Sequence, residues 1–185
     1  MRILQTLTIL TLAAMILIGC DGKKEKENLP VVIIDNGQEI EGDTTVFGEC
    51  VDAAMNSLSL LTSSGDTVEY VFSSDEGDAD VQGGQFMGDK MAVLGYETVD
   101  ANIATKVINL TSLMGRWISL DKNFEIKEGG VVESNVAAES NPYTSWKIFN
   151  GRLVLSKDTF DIVSLSQDSL LLENDNGIYA YKRQL

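Results

Sequence analysis

The most constraining feature of this sequence is a long succession of short β-type segments that begins after Asp43. The segments are rich in Val, Ile, Leu, Thr, Tyr and Phe. Clusters of Gly, Asn, Asp and Ser separate them about every 8 to 12 residues, which is typical of an all-β barrel or sandwich. In Thr67–Ser73, for example, apolar and polar residues alternate as in a half-buried strand. Only Asp52–Ser57 and Gln82–Met87 leave room for a helical turn, so we expect an all-β fold.

Residues 44–111 are predicted to form the first domain, a small five-stranded barrel. A glycine-containing connection, Ser74–Asp89, separates three strands from two more. That order is typical of an OB-type barrel. The run Gly88–Val93 (GDKMAV) also resembles the beginning of the fourth strand in many OB-type domains. The predicted strands are Val46–Ala53, Leu58–Ser63, Thr67–Ser73, Lys90–Tyr96 and Ile103–Leu110.

Residues 112–185 are predicted to form a second domain of eight short strands in meander order. The pair Asn150-Gly151 is the strongest turn signal in the chain, because Asn-Gly favours a type I′ hairpin. Eight such strands can close on themselves and leave no exposed edge. The predicted strands begin near Gly115, Phe124, Val131, Thr144, Arg152, Thr159, Ser169 and Ile178.

Several segments of the second domain resemble lipocalins. Leu113–Trp117 (LMGRW) is similar to the Gly-x-Trp opening of that family, whose tryptophan packs across the closed end of the barrel. The later segments NGRLVLS, FDIVSLSQDSLLLE and YAYKR resemble the lipocalin-like domains of envelope lipoproteins from Bacteroidetes-type bacteria. This resemblance implies a barrel that binds a small hydrophobic ligand. The candidate residues for ligand contact or core packing are Trp117, Tyr143, Trp146 and Tyr179.

The N-terminal segment has the features of a secretion signal. One charge, Arg2, precedes an apolar run from Leu7 to Ile18. A run of about a dozen residues is too short to cross a hydrocarbon core of roughly 30 Å unaided. The end of the run, Leu17–Cys20 (LIGC), resembles the lipobox of bacterial lipoproteins. The resemblance implies that residues 1–19 are removed and that Cys20 carries palmitate-type lipid, which attaches the protein to a membrane.

Residues 20–43 are predicted to be a flexible tether. This segment is mostly polar and, fully extended, spans on the order of 75 Å. Its one apolar run, Val31–Ile34, has a second interpretation as an edge strand of the first barrel, and the sequence does not choose between the two.

The sequence offers little chemistry for catalysis. It has 0 histidines, which removes the usual general base, the Ser-His-Asp arrangement and most zinc and copper sites. The acidic loop Asp75–Asp80 lacks the spacing of an EF-hand, so we expect a solvated loop. Cys50 lies in an alternating segment and is expected to be a buried apolar residue. We expect no enzyme, no cofactor and no metal.

Charge limits the partners. The formal net charge is -14, and no cluster of Lys and Arg is present that would neutralise phosphates, so we expect no nucleic-acid binding. We expect a cell-envelope lipoprotein, anchored in the outer membrane, with its domains in the periplasm or at the cell surface. Its expected role is non-catalytic binding of a small hydrophobic ligand or an envelope protein. The alternative is a sensor or assembly adaptor that acts through the barrel surface.

Overall fold

The computed structural model describes residues 32–35, 38–74, 77–136 and 140–184, which are almost entirely β-structure. Within these ranges, every helix is too short or too polar to span a bilayer. The predicted signal segment 1–19 and the lipidation site Cys20 lie outside the described residues.

The first two strands form a hairpin of their own. Strand β1 (Val32–Asp35) pairs antiparallel with β2 (Gln38–Glu41). Within the described residues, this two-stranded sheet shares no ladder with either barrel. Residues 32–34 of the apolar run are therefore paired in this hairpin and do not form an edge strand of the first barrel. Residue 31 lies outside the described residues, and the flexible tether over residues 20–43 stays a prediction.

The first barrel closes through a ring of five strands. Strands β3, β4 and β5 form an antiparallel meander, β5 pairs parallel with β10, β10 pairs antiparallel with β9, and β9 returns to β3. The connection between β5 and β9 adds three short strands, β6, β7 and β8. The strands are β3 (Val46–Ala54), β4 (Ser57–Thr62), β5 (Thr67–Val71), β6 (Ser73–Ser74), β7 (Gly77–Asp78), β8 (Asp80–Gln82), β9 (Lys90–Glu97) and β10 (Asn102–Asn109).

Alternation along these strands builds the core of the first barrel. Leu58 and Leu60 of β4 point inward and are buried, with Met91 and Val93 of β9 opposite them in the same cluster. Cys50 is also fully buried in this cluster, as its setting in the sequence predicted. The apolar face of each strand is thus removed from water, which is the main driving force for closing the sheet.

The second barrel consists of eight antiparallel strands in the order β13-β12-β11-β18-β17-β16-β15-β14. A bridge between Val131 and Ser145 joins the two ends of this order. Asn150 and Gly151 both have positive φ, as the type I′ turn requires. The strands are β11 (Gly115–Ile118), β12 (Asn123–Lys127), β13 (Val131–Ser134), β14 (Trp146–Phe149), β15 (Arg152–Leu155), β16 (Asp158–Leu165), β17 (Ser169–Asn174) and β18 (Gly177–Gln184).

The expected all-β fold, with a five-stranded barrel followed by an eight-stranded antiparallel barrel, is confirmed. The proposed domain boundaries stay a prediction. The helical turns among the described residues are not where the sequence left room for them. One is α1 (Leu110–Leu113), at the position predicted to end the fifth strand, and the other is a 3₁₀ turn at Glu128–Gly130.

Asn109 begins α1 and joins it to the first barrel. Its side chain is fully buried and accepts a hydrogen bond from the Ser112 N–H, which is the capping geometry that starts a helix. The amide nitrogen donates to Asp89 at 2.6 Å and to the Gly84 carbonyl at 3.3 Å. The short helix is therefore held by hydrogen bonds to the long connection of the first barrel.

The two barrels share a core and a buried polar contact. Ala92 and Ile108 of the first barrel belong to the same apolar cluster as the interior of the second. Gln82, only 9% exposed, accepts a hydrogen bond from the Leu165 N–H at 2.8 Å and donates to the Val163 carbonyl at 3.4 Å. The Gly83 N–H donates to the Leu165 carbonyl at 3.0 Å. The end of β8 thus binds the end of β16 much as a neighbouring strand would.

We expect Gln82→Leu to destabilise the protein by about 1–3 kcal/mol, because the substitution leaves the buried Leu165 N–H without an acceptor. Urea unfolding followed by circular dichroism measures this loss. Gln167→Leu is the matched control, since Gln167 is exposed. Equal stability of the two variants would show that the Gln82 contact does not hold the barrels together.

Candidate functional site

Trp117 lies in the core of the second barrel next to α1. Its side chain is fully buried, and its indole N–H donates to the Leu113 carbonyl of α1 at 2.9 Å. The Arg183 guanidinium lies 4.2 Å from the centre of the Trp117 ring, a cation–π geometry. Arg183 also donates to the carbonyls of Ser112, Met114 and Gln167. Burial lowers the pKa of Arg183. The hydrogen bond to Leu113 and the contact with Arg183 thus hold the Trp117 ring in the core in one orientation.

Aromatic side chains fill the interior of the second barrel. The Phe124 ring meets the rings of Tyr143 and Tyr181 edge to face, at centroid distances of 5.4 and 5.1 Å. Phe160 meets Tyr179 in the same way at 5.5 Å. Such pairs stabilise by roughly 0.5–1.5 kcal/mol beyond the area they bury. Tyr143 is buried and Tyr179 half-buried, so both contribute to this packing.

The hydroxyl groups of two tyrosines meet within this packing. Burial, more than any other effect, raises the pKa of Tyr181 well above its ordinary range. The neighbouring Tyr143, which shares a hydrogen bond with Tyr181, and the carboxylate of Asp121 raise that pKa further. The Lys122 ammonium lies 4.5 Å from the centre of the Tyr143 ring. These surroundings therefore favour the neutral form of the Tyr181 hydroxyl.

Trp146 has different surroundings, because it faces a groove between the two barrels. Its ring is half-buried, and its indole N–H donates to the Lys127 carbonyl at 2.6 Å. The groove has a volume of about 280 Å³. Phe47 of the first barrel, Leu110 and Met114 at the two ends of α1, and Ile148 of β14 line it together with Trp146. The walls are mostly apolar and come from both barrels.

Charged groups surround the mouth of this inter-barrel groove. Lys90 of the first barrel and Glu128 of the second form an ion pair at 2.7 Å, and both side chains are exposed. The hydrogen bond from Lys90 lowers the pKa of Glu128. Lys147 also lines the groove. The site therefore combines an apolar interior with a charged rim.

Comparison with known proteins relates the second barrel to a family. A family model described as lipocalin-like matches residues 109–184. The second barrel is therefore similar to lipocalin-like domains, and we refer to it as the lipocalin-like domain. A crystal structure of a lipocalin-like protein from Bacteroides thetaiotaomicron is 29% identical in an alignment that covers 40% of this chain and 97% of that chain, with a TM-score of 0.34. No match was found among curated proteins.

The candidate residues from the sequence divide between two places. Trp117 and Tyr143 are buried in the core of the lipocalin-like domain, and Tyr179 and Trp146 pack against that core. Of the four, Trp146 alone also lines the inter-barrel groove. Sequence reasoning missed Phe47 and Met114, because they belong to segments far from Trp146 along the chain. The exposed aromatic Phe47, within a strand of otherwise alternating pattern, was the one available signal.

Two features of the described residues bear on catalysis: clusters of metal-binding side chains and the reactivity of the Cys50 thiol. Within residues 32–35, 38–74, 77–136 and 140–184, no group of three or more Cys, Asp and Glu side chains converges to hold a metal ion. Burial, with the nearby carboxylates of Asp89 and Asp52, raises the pKa of Cys50. Cys50 is therefore kept as a thiol, which is a poor nucleophile. The lipocalin-like fold is typically a binding fold.

We expect the free energy of unfolding to fall as the pH rises above about 10, the ordinary pKa of tyrosine. Above this value the unfolded chain releases the protons of Tyr181 and Tyr70, while burial keeps both tyrosines protonated in the folded state. Tyr181→Phe removes one of these groups, so stability should decline less steeply with pH. Urea unfolding between about pH 8 and 11 measures the slope, and an unchanged slope in Tyr181→Phe would contradict this account.

Proposed function

We propose that this protein is a lipid-anchored envelope lipoprotein that binds a small hydrophobic molecule in the inter-barrel groove and catalyses no reaction. The observation that carries the proposal is a difference between the barrel interior and the inter-barrel groove. Side chains occupy the interior of the lipocalin-like domain, whereas the groove beside Trp146 is apolar and open. The lipocalin resemblance implies a ligand inside the second barrel. We instead propose that the ligand binds in the groove between the two barrels.

The size and chemistry of the groove favour a small ligand with one polar end. Its volume of about 280 Å³ lies near the lower end of the roughly 300–1,000 Å³ usual for ligand sites. It exceeds the engineered cavity of about 150 Å³ that binds benzene. Phe47, Met114 and Trp146 provide apolar contacts, while Lys90 and Lys147 at the rim suit an anionic group.

The membrane anchor is part of the same proposal. The lipobox-like Leu17–Cys20 supports lipid attachment at Cys20, and we place the anchor in the outer membrane of the cell envelope. The last residue of the predicted tether and the first residue of the first barrel contact the second barrel. Asp43 accepts a hydrogen bond from the Asn150 N–H, and the Thr44 N–H donates to the Asn150 side chain. The tether would therefore enter the folded part beside the junction of the barrels.

We also propose that the first barrel is an OB-type domain. The pairing of its strands supports this, since a meander of β3 to β5 closes through a parallel β5–β10 pair and antiparallel β9. OB-type barrels often bind oligonucleotides. With a net charge of -14, however, this chain is unsuited to phosphate-rich partners. We therefore propose that the first barrel serves to form one wall of the inter-barrel groove.

We expect Phe47→Asp to weaken binding of anilinonaphthalene sulfonate, an apolar probe with one anionic group, by about tenfold or more. The substitution places a second negative charge beside Glu128 and removes an apolar wall. Fluorescence titration of the probe, with decanoate as a competitor, measures the dissociation constant.

Leu61→Asp is the matched control for this experiment. Leu61 is 37% exposed against 42% for Phe47, and it belongs to the same barrel but does not line the groove. Full binding by Leu61→Asp and weak binding by Phe47→Asp place the probe in the groove. Equal affinities in the two variants would remove the proposed site.

We expect Cys20→Ala to abolish incorporation of labelled palmitate, because the thiol that receives the lipid is lost. Cys50→Ala is the matched control and should retain the label, since Cys50 is buried in the first barrel. Intact mass spectrometry of the native protein should show loss of residues 1–19 and addition of lipid. Label retained by Cys20→Ala, or a native mass equal to that of the unprocessed chain, would overturn the anchor.

A further inference from the structure

A second groove runs along the last strand of the lipocalin-like domain, away from the inter-barrel groove. Its volume is about 680 Å³. Ile118, Leu120 and Ile178 line it, and each of these apolar side chains is at least one-third exposed. Strand β18 forms one side of this edge groove, and the turn Ser119–Lys122 after β11 forms the other.

The edge groove exists because β11 is shorter than β18. Strand β11 pairs with β18 only as far as Ile118, which lies opposite Lys182. The Ser119 N–H then donates to the Lys122 carbonyl at 2.8 Å and turns the chain back into β12. The first half of β18, Gly177–Tyr181, extends beyond the end of its neighbour.

The direction of the backbone groups along β18 can be assigned. The Arg183 N–H donates to the Asp168 carbonyl, on the side of β17. Successive residues of a strand direct their N–H and C=O groups to opposite edges. Lys182, Ala180 and Ile178 therefore direct theirs toward β11. Among the residues that the structure describes, no strand pairs with this edge at Ala180 and Ile178.

We propose that this edge binds an extended peptide segment of a protein partner by β-strand addition. The backbone groups of Ala180 and Ile178 recur every second residue, and an added strand supplies donors and acceptors with this spacing. Ile118, Leu120 and Ile178 offer apolar contacts to alternate side chains of that strand. This inference does not depend on the inter-barrel groove or on its ligand.

The edge also lacks the usual protection against strand pairing. Exposed edges in native proteins commonly carry prolines, bulges or repeated lysines. The stretch Gly177–Lys182 contains no proline, its ladder with β17 has no bulge, and Lys182 is its single charge. An unprotected edge beside exposed apolar side chains is the geometry that strand addition uses.

Charge favours a neutral or basic segment over a second copy of this chain. Asp121 lines the edge groove, and Glu173 lies directly opposite Ile178 on β17. Lys182 stands at the end where β11 begins to pair. With a net charge of -14, two copies repel each other, whereas a peptide carrying lysines is attracted.

The test uses the purified protein and a short synthetic peptide that alternates Val and Thr between terminal lysines. We expect Ala180→Pro to weaken peptide binding at least tenfold, measured by fluorescence anisotropy. Proline removes the N–H that faces the groove, while the ladder with β17 is kept, since Ala180 directs no hydrogen bond to that side. Ala180→Thr keeps the N–H and is the matched control, with binding close to that of the native protein.

Two further measurements keep the inference testable if Ala180→Pro folds poorly. A peptide N-methylated at alternate residues has lost the donors of one edge and should bind at least tenfold more weakly to the native protein. Hydrogen exchange at the Ile178 and Ala180 amides should slow when the unmodified peptide is present.

Failure to bind the peptide, or equal binding by Ala180→Pro and the native protein, would overturn the inference. A dimer of the native protein that Ala180→Pro dissociates would also overturn it and assign the edge to a second copy. Binding of anilinonaphthalene sulfonate should be the same in Ala180→Pro and the native protein, which separates this result from that for the inter-barrel groove.

Discussion

The buried contact between Gln82 and the end of β16 is the constraint on which the shape of this molecule depends. The Gln82 side chain accepts a hydrogen bond from the Leu165 N–H and donates one to the Val163 carbonyl. Its amide group therefore pairs with β16 as the peptide group of a neighbouring strand would. A buried polar group left unpaired would cost about 1–3 kcal/mol, so this contact specifies one arrangement of the two barrels. The Lys90–Glu128 pair and the Asp43–Asn150 hydrogen bond lie around the same junction and act in the same direction. The inter-barrel groove exists only while this arrangement holds.

Strand length explains why the lipocalin-like domain is packed rather than hollow. Its strands are four to eight residues long, and an eight-stranded barrel has an interior just wide enough for side chains. Trp117, Phe124 and Phe160 are among its largest fully buried side chains, and they use the available space. A barrel of this kind offers binding sites on its outside, where strands of unequal length and contacts with a second domain create grooves.

Short sequence patterns predicted the barrel strands and one hairpin turn of this fold. The alternation of apolar residues placed the barrel strands, and Asn150-Gly151 placed a hairpin that the φ angles confirm. The hairpin of β1 and β2 was missed, although its sequence contains Asn36-Gly37, a comparable turn signal. Helix α1 was missed because Leu110 extends the apolar segment of β10. A preference of asparagine for the first capping position was the signal that could have found it.

The two proposed sites could not be predicted, since each depends on how separate segments meet. The inter-barrel groove brings together Phe47, Met114 and Trp146, which no periodicity connects. The open edge depends on a difference in length between β11 and β18. A meander of eight strands was expected to leave no exposed edge. That expectation assumed that neighbouring strands have equal lengths.

Strand β11 connects the two proposed sites physically. Met114, just before β11, lines the inter-barrel groove, and Ile118, its last residue, lines the edge groove. Between them, Trp117 is fixed by its bond to Leu113 and by the Arg183 guanidinium. Gly115 has a φ of 122°, and a Cβ there would lie 2.6 Å from Arg183 Nη1, so this strand also fits closely against the arginine. These contacts tie β11 to α1 and to β18 between the two proposed sites. We therefore expect β11 to act as a fixed support, so that a ligand in one groove leaves binding at the other unchanged.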